Sequence, residues 1–328
     1  MKLATISNNT RNGQLVVVNK EMTKAVCVPE IASTMQDAID NWKEVESKLQ
    51  TVYEALNTYT AKGDVFDFAA KQIMAPIPRA YHWADGSAYV THVELVRKAR
   101  NASLPETFWT DPLMYMGASD AFIGPNDDIE VENEAWGIDF ESEVGVITDD
   151  VPAGTDAKTA LNHIKLITIL NDVTLRNLIP DELSKQFGFY QSKPWTSFAP
   201  VVVTPDELNG VWNDGKLHLP LRSTLNGKLI GSPDAGVDMV FDFGQLIAHA
   251  AKTRSLTAGT IIGSGTVANE GSPSGSSCLA ELRCLEIIKD GKASTPFMSY
   301  GDRIEIEMND HQGNSIFGKI DQVVKKHK

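Results

Sequence analysis

Residues 137–147 read Gly137-Ile138-Asp139-Phe140-Glu141-Ser142-Glu143-Val144-Gly145-Val146-Ile147. The run from Glu141 to Ile147 has the composition of a strand. Alternate side chains of a strand share a face, which aims Asp139, Glu141 and Glu143 the same way. Three carboxylates on one face repel one another unless a cation or solvent relieves them. Clustered oxygens suit hard cations such as Mg²⁺, Mn²⁺ or Ca²⁺. Taken alone, the stretch fits a solvated acidic face on an edge strand better than a metal site, because structural charge clusters are common.

Toward the C-terminus, the run His163–Leu170 reads as a buried strand that ends abruptly in Asn171-Asp172. Such an ending delivers polar groups to the rim of a sheet, although an Asx turn or helix N-cap is the commoner explanation. Arg176 follows at i+4 and pairs with Asp172 if a helical turn starts there. Lys193 lies in Gln191-Ser192-Lys193-Pro194-Trp195, among aromatics and prolines. That setting suits an anionic substrate or developing negative charge, and equally a snorkelling lysine. Gly263-Ser264-Gly265-Thr266 follows a strand-like run, where glycines let the backbone approach a ligand; an ordinary tight turn has the same composition.

Upstream, His82 and His92 flank Asp85, and Tyr89-Val90-Thr91-His92-Val93-Glu94 sets a histidine beside a carboxylate. Such a pair can activate water, though a lone histidine is more often structural. Tyr115 and Met116 fit either a pocket wall or the core. The chain has no Gly-x-Ser-x-Gly elbow, His-Glu-x-x-His or Cys-x-x-Cys. Serine-hydrolase and zinc readings therefore lose their main support.

The wider texture is strand-dominated. Lys2–Ile6, Gln14–Val18, Lys24–Val28, Ala199–Val203, Leu217–Leu225 and Arg303–Met308 read as strands, with turns at Asn12-Gly13 and Asn226-Gly227. A capping-box pattern at Ser33 and Gln36 opens a helix that Lys62-Gly63 stops, and Asp242–Thr253 reads as a second helix. These runs predict a β-rich α+β chain, with a small N-terminal strand-and-helix domain at 1–74 and a larger domain at 75–328. Ala75-Pro76-Ile77-Pro78-Arg79 is the extended linker between them.

The 328 residues carry 30 basic and 43 acidic side chains, a net charge of −13, which argues against a nucleic-acid partner. Hydrophobic residues at 42% rule out wholesale disorder. Three cysteines in unpaired spacing fit a reducing compartment better than a disulfide framework. The N-terminus lacks the apolar core of a signal peptide, and no run is long enough to span a membrane. A soluble, cytoplasmic protein is expected.

The order and spacing of these motifs resemble the fumarylacetoacetate hydrolase superfamily, from about Pro76 to the C-terminus. The resemblance implies metal ligands at Glu141 and Glu143 in the Glu-x-Glu strand. It adds Asp172, in Asn171-Asp172-Val173-Thr174-Leu175-Arg176, as the third ligand. Asp85 is near the place of a fourth ligand found in larger members, but out of register with it. Lys193 matches the family lysine, and Ser264-Gly265-Thr266 the loop that meets substrate. Tyr89 and His92 match the Tyr-x-x-His motif. His92 would activate water, with Glu94 or Glu281 as its partner. Arg176, Gly265, Thr266 and Tyr115 are the expected substrate contacts.

The resemblance further implies a mixed-sheet β-roll, a Mg²⁺-type ion (Mn²⁺ or Ca²⁺ as substitutes), a small oxo-acid substrate, a homodimer and a place in aromatic-compound catabolism. The implied chemistry is hydrolysis of a carbon–carbon bond in a fumarylacetoacetate-like diketo acid. Decarboxylation, hydration or isomerisation of a 2-oxo acid is the alternative on the same scaffold.

Overall fold

The computed structural model describes residues 1–98, 106–208 and 210–327. Its central element is an 11-stranded mixed sheet. In spatial order the strands are Val65–Asp67, Lys24–Cys27, Gln14–Val18, Lys2–Ile6, Val202–Val203, Ile164–Asn171, Ser142–Thr148, Ile261–Gly263, Trp83–Gly86 and Met114–Met116, with Ser197–Phe198 also paired to Ile164–Asn171. The chain is β-rich α+β, as the strand texture predicts.

Period-two alternation sets the layers. Val144, Val146, Ile167, Ile169 and Ile262 face a second sheet that includes Leu221–Leu225 and Arg303–Met308. Ile147, Leu166, Leu170 and Ile261 face the opposite way and share a core with Met35, Trp42, Val45, Leu49 and Tyr53. Those helical residues come from Met35–Asp40 and Trp42–Asn57, so the N-terminal helices help cover this face. Each fully buried Val, Ile or Leu contributes about 1.5–3 kcal/mol. The sheet is thus held from both sides, and its middle strands read as continuous apolar runs.

The first 74 residues add four strands to one end of this sheet rather than a separate one. Lys2–Ile6 pairs antiparallel with Val202–Val203, and the Met1 amino group donates to Thr204 Oγ1 at 2.5 Å.

Some predicted boundaries move. Thr34, not Ser33, caps the first helix, accepting from the Asp37 N–H, and Asn41 ends it. The second helix stops at Asn57, well before Lys62-Gly63. Asp242 caps the Phe243–Ala250 helix through a reciprocal capping box with Gln245. Two helices that the sequence reading leaves unassigned, Val90–Lys98 and Leu279–Asp290, pack on one another. Among the described residues no helix is long and apolar enough to cross a membrane.

Candidate active site

The register of the central sheet gathers acidic side chains from distant parts of the chain. Asp85 pairs with Gly263 on one side and with Tyr115 on the other. Gly263 pairs with Gly145, two residues from Glu143 on the same face. A Cβ at Gly263 would lie 2.4 Å from Asp85 Oδ1, so only glycine leaves room for that carboxylate. Asp172 follows the last residue of the Ile164–Asn171 strand, and its N–H donates to the Glu141 carbonyl at 3.0 Å. Asn171 Oδ1 in turn accepts from the Glu141 N–H at 3.1 Å, bridging the break between Ile138–Asp139 and Ser142–Thr148.

The result is a buried group of three carboxylates, Asp85, Glu143 and Asp172, each offering an oxygen within 4.8 Å of the others. The solvated edge-strand reading does not hold. Glu143 is fully buried, and its strand is paired on both sides. Apart from the neighbouring Asp85 carboxyl, neither Glu143 carboxylate oxygen has a hydrogen-bond partner. A buried carboxylate without partners is costly, and an oxygen-only donor set fits a hard divalent cation. Burial, then the charges of Asp85, Asp172 and Glu141, pushes Glu143 well above the usual carboxylate range. Burial and Asp172 likewise lift Asp85 to about 8.

Asp85 takes the third place in the cluster, while Glu141, expected as a metal ligand, stands apart from it and faces cations. Its Oε2 accepts from Lys193 Nζ at 2.6 Å, and its Oε1 lies 2.5 Å from Arg176 Nη2. Burial pushes this carboxyl up, but Arg176 and Lys193 outweigh it and hold it near about 2. Lys193 Nζ also donates to Asp172 Oδ2 at 2.6 Å, so the ammonium bridges Glu141 and Asp172. Thr196 Oγ1 donates to the other Asp172 oxygen at 2.8 Å, and the Tyr115 hydroxyl donates to Oδ2. The Lys193 ammonium lies 5.2 Å from the centre of the Tyr115 ring. Tyr115 therefore belongs to this site rather than to the core.

Glu182 positions the lysine. Its carboxylate accepts from the backbone N–H groups of Tyr190, Gln191 and Ser192 and from the Ser192 hydroxyl at 2.5 Å. Sequence reading missed both Glu182 and Thr196; the only signal for Thr196 was its closeness to Lys193.

The expected water-activating pair resolves to one partner. Glu281 Oε2 lies 3.5 Å from His92 Nδ1, while Ser272 Oγ donates to its other oxygen at 2.6 Å. Glu94 is exposed on the helix that carries His92. Residues two apart on a helix are turned by roughly 200° from one another, so Glu94 cannot face the same way as His92.

Two substrate contacts need correction. Arg176 does not pair with Asp172 through a helical turn, because Thr174–Leu175 is a short strand paired to Ile138–Asp139. Its Nε donates to Asp139 at 2.8 Å and its Nη2 meets Glu141, which makes it an internal counter-ion. Asp139 also accepts from the first N–H groups of the Leu279–Asp290 helix, which places Glu281. The Gly265 N–H, expected to meet substrate, is taken by Asp85 Oδ1 at 3.0 Å. Gly265 has φ +77°, the left-handed region, and a Cβ there would strike the Gly86 carbonyl at 2.3 Å. Thr266 is buried next to it, its loop pinned to Val144 and Ser142 through Ser264 and Val267. A cavity of about 740 Å³ touches this site at Lys193 and is otherwise lined by residues such as Val173, Tyr190 and Trp195.

Comparison with known proteins gives the arrangement a family. The family model for the C-terminal part of fumarylacetoacetate hydrolase matches residues 81–325, and that for fumarylacetoacetase N-terminal domain 2 matches residues 1–79. The chain belongs to the fumarylacetoacetate hydrolase family. Oxaloacetate tautomerase YisK of Bacillus subtilis is 26% identical over 251 residues, 75% of this chain and 72% of its own. A 2,4-didehydro-3-deoxy-L-rhamnonate hydrolase of Sphingomonas sp. is 28% identical over 160 residues, 48% of this chain and 53% of its own. Maleylpyruvate hydrolase from Sphingobium sp. SYK-6, solved with a manganese(II) ion and pyruvate, shares the fold with a TM-score of 0.69 at 17% identity, and the match covers 100% of both chains. Members of the family are thus enzymes that include hydrolases, isomerases and tautomerases.

Proposed function

We propose that this member of the fumarylacetoacetate hydrolase family is a divalent-metal-dependent hydrolase that cleaves the carbon–carbon bond of an acylpyruvate-class diketo acid. The observation that carries the reading is the His92–Glu281 pair, which completes a site already holding the buried carboxylates and Lys193. Asp85, Glu143 and Asp172 would hold a Mg²⁺- or Mn²⁺-type ion. When bound, that ion supplies Lewis acidity toward the oxygens of a 2-oxo acid.

The chain's own residues supply the rest. Glu281, its Oε2 3.5 Å from Nδ1, favours the tautomer with the proton on Nδ1, which leaves the Nε2 lone pair to accept a proton from water. The hydroxide so formed adds to the distal carbonyl. The carbon–carbon bond then breaks, and its electron pair leaves with the 2-oxo fragment as an enolate, which is reprotonated to pyruvate. Lys193 has three N–H donors, two of them given to Glu141 and Asp172. Its fixed positive charge stabilises the anion that develops beside it.

Keto–enol tautomerisation of oxaloacetate is the second reading, favoured by relatives such as YisK that are similar over most of the chain. It needs proton transfer at carbon and no water addition. A panel of acylpyruvates and oxaloacetate, assayed with Mg²⁺ or Mn²⁺, separates the two. Release of pyruvate with a second carboxylic acid is expected from an acylpyruvate. His92→Gln should lower that release by about 10²–10⁴-fold while leaving metal affinity unchanged. No cleavage, together with rapid interconversion of oxaloacetate enol and keto forms, would replace the hydrolase reading with the tautomerase one.

A further inference from the structure

His92 and Glu281 have a third neighbour. The Cys278 sulfur, a His92 ring nitrogen and a Glu281 carboxylate oxygen all lie within 4.8 Å of one another. Cys278 is fully buried, Glu281 is 1% exposed, and His92 is largely covered. His92 Nδ1 and Glu281 Oε2 face one another at 3.5 Å, and neither has a hydrogen-bond partner. The third, Cys278 Sγ, accepts a 3.4 Å contact from the Glu281 N–H and ties the thiol to the start of its helix. Ser272 holds the remaining Glu281 oxygen and so orients the free one.

We infer that His92, Cys278 and Glu281 form a second metal site, selective for Zn²⁺-type ions and inhibitory. Nitrogen, sulfur and one carboxylate oxygen are the ligand types of Zn²⁺, with the fourth position left to water. Hard ions such as Mg²⁺ have no preference for thiolate, whereas the all-carboxylate group nearby suits them. The two clusters therefore sort ions by softness. No short sequence motif announces the second one, because His92 and Cys278 come from distant parts of the chain and meet only where their helices pack.

Inhibition follows from the tautomer, and this part rests on the hydrolase reading of His92. An ion on Nδ1 leaves the neutral ring's single proton on Nε2, so the ring no longer accepts one from water. The same ion takes Glu281 from its role as partner. Cys278 releases its thiol proton to solvent on binding, and no redox step is involved.

The test uses the full chain with the carboxylate group saturated by Mg²⁺ and Co²⁺ as a spectroscopic probe for Zn²⁺. One equivalent of Co²⁺ should bind with a thiolate-to-cobalt charge-transfer band in the near ultraviolet, and Zn²⁺ should bleach it. Cys278→Ser, which keeps a helix-capping side chain, should lose the band and bind at least about tenfold more weakly. It should also retain Mg²⁺-supported turnover in the presence of Zn²⁺. His92→Gln serves as the second variant and should weaken binding while leaving the melting curve close to native. Absence of the band, or Co²⁺ bound equally well by both variants, overturns the site. A band that appears while Zn²⁺ leaves native turnover unchanged overturns the inhibition, and with it His92 as base, but not the site.

Discussion

Glu141 and Glu143 lie two residues apart and are 5% and 0% exposed, yet their surroundings drive them in opposite directions. Glu141 faces Lys193 and Arg176 and is held near about 2. Glu143 faces Asp85 and Asp172, has no hydrogen-bond partner beyond the Asp85 carboxyl, and is pushed well up. Burial is common to both, so the neighbouring charges decide. One half of the site carries its own cations in the chain. The other half has acidic oxygens in excess and fits a cation from solution. Asp172 belongs to both, accepting from Lys193 while sharing the three-carboxylate group.

The most disruptive way to break that contrast is Lys193→Met. Removing one partner of a buried ion network costs about 3–5 kcal/mol. The variant's midpoint in denaturant should fall accordingly when a chelator is present. A change below about 1 kcal/mol would mean that the ammonium contributes little to holding Glu141 and Asp172. Glu143→Ala comes next, on the other half. It removes a proposed ligand and should weaken Mn²⁺ binding by more than about 100-fold in calorimetry, beyond the roughly 10–100-fold that loss of a supporting residue costs.

Acidity gives a finer test. Burial beside Asp172 lifts Asp85 to about 8 in the folded chain, against 3.8 for the free group. Between those values the folded state holds more protons than the unfolded one, so stability falls as pH rises through the window. Glu141 has the opposite slope, confined to pH below 4.5. Chelator-treated protein should therefore lose melting temperature between about pH 5 and 8. Saturating Mn²⁺ should flatten the curve, because cation binding has already displaced those protons. The smallest effect belongs to Glu94→Ala. That exposed residue should change neither turnover nor stability beyond about 0.5 kcal/mol, and a large loss of turnover would return it to the catalytic pair.

Much of the sheet was legible because its strands obey local rules. Lys2–Ile6, Gln14–Val18 and Arg303–Met308 match their predicted bounds, and the helix predicted over Asp242–Thr253 is present at Phe243–Ala250. Helix Leu279–Asp290 was less visible, since it buries only Leu279 and Glu281 and carries little apolar periodicity. Within the site, Glu143, Asp172, Lys193 and His92 could be picked by residue type and order. Asp85 could not be placed, because it reaches the cluster only through parallel pairing with Ile261–Gly263, a contact between distant parts of the chain. The partner of Arg176 depends on whether the chain after Asp172 coils or extends, and here it extends. Helical geometry separates Glu94 from His92 once their segment is read as a helix.

The division of the site into two halves is tested most directly by anomalous diffraction from crystals soaked in Mn²⁺. The expected result is one strong peak among the carboxylates of Asp85, Glu143 and Asp172, with Lys193 still bridging Glu141 and Asp172. A peak between Glu141 and Asp172 with Lys193 expelled, or no peak near Glu143, would contradict it.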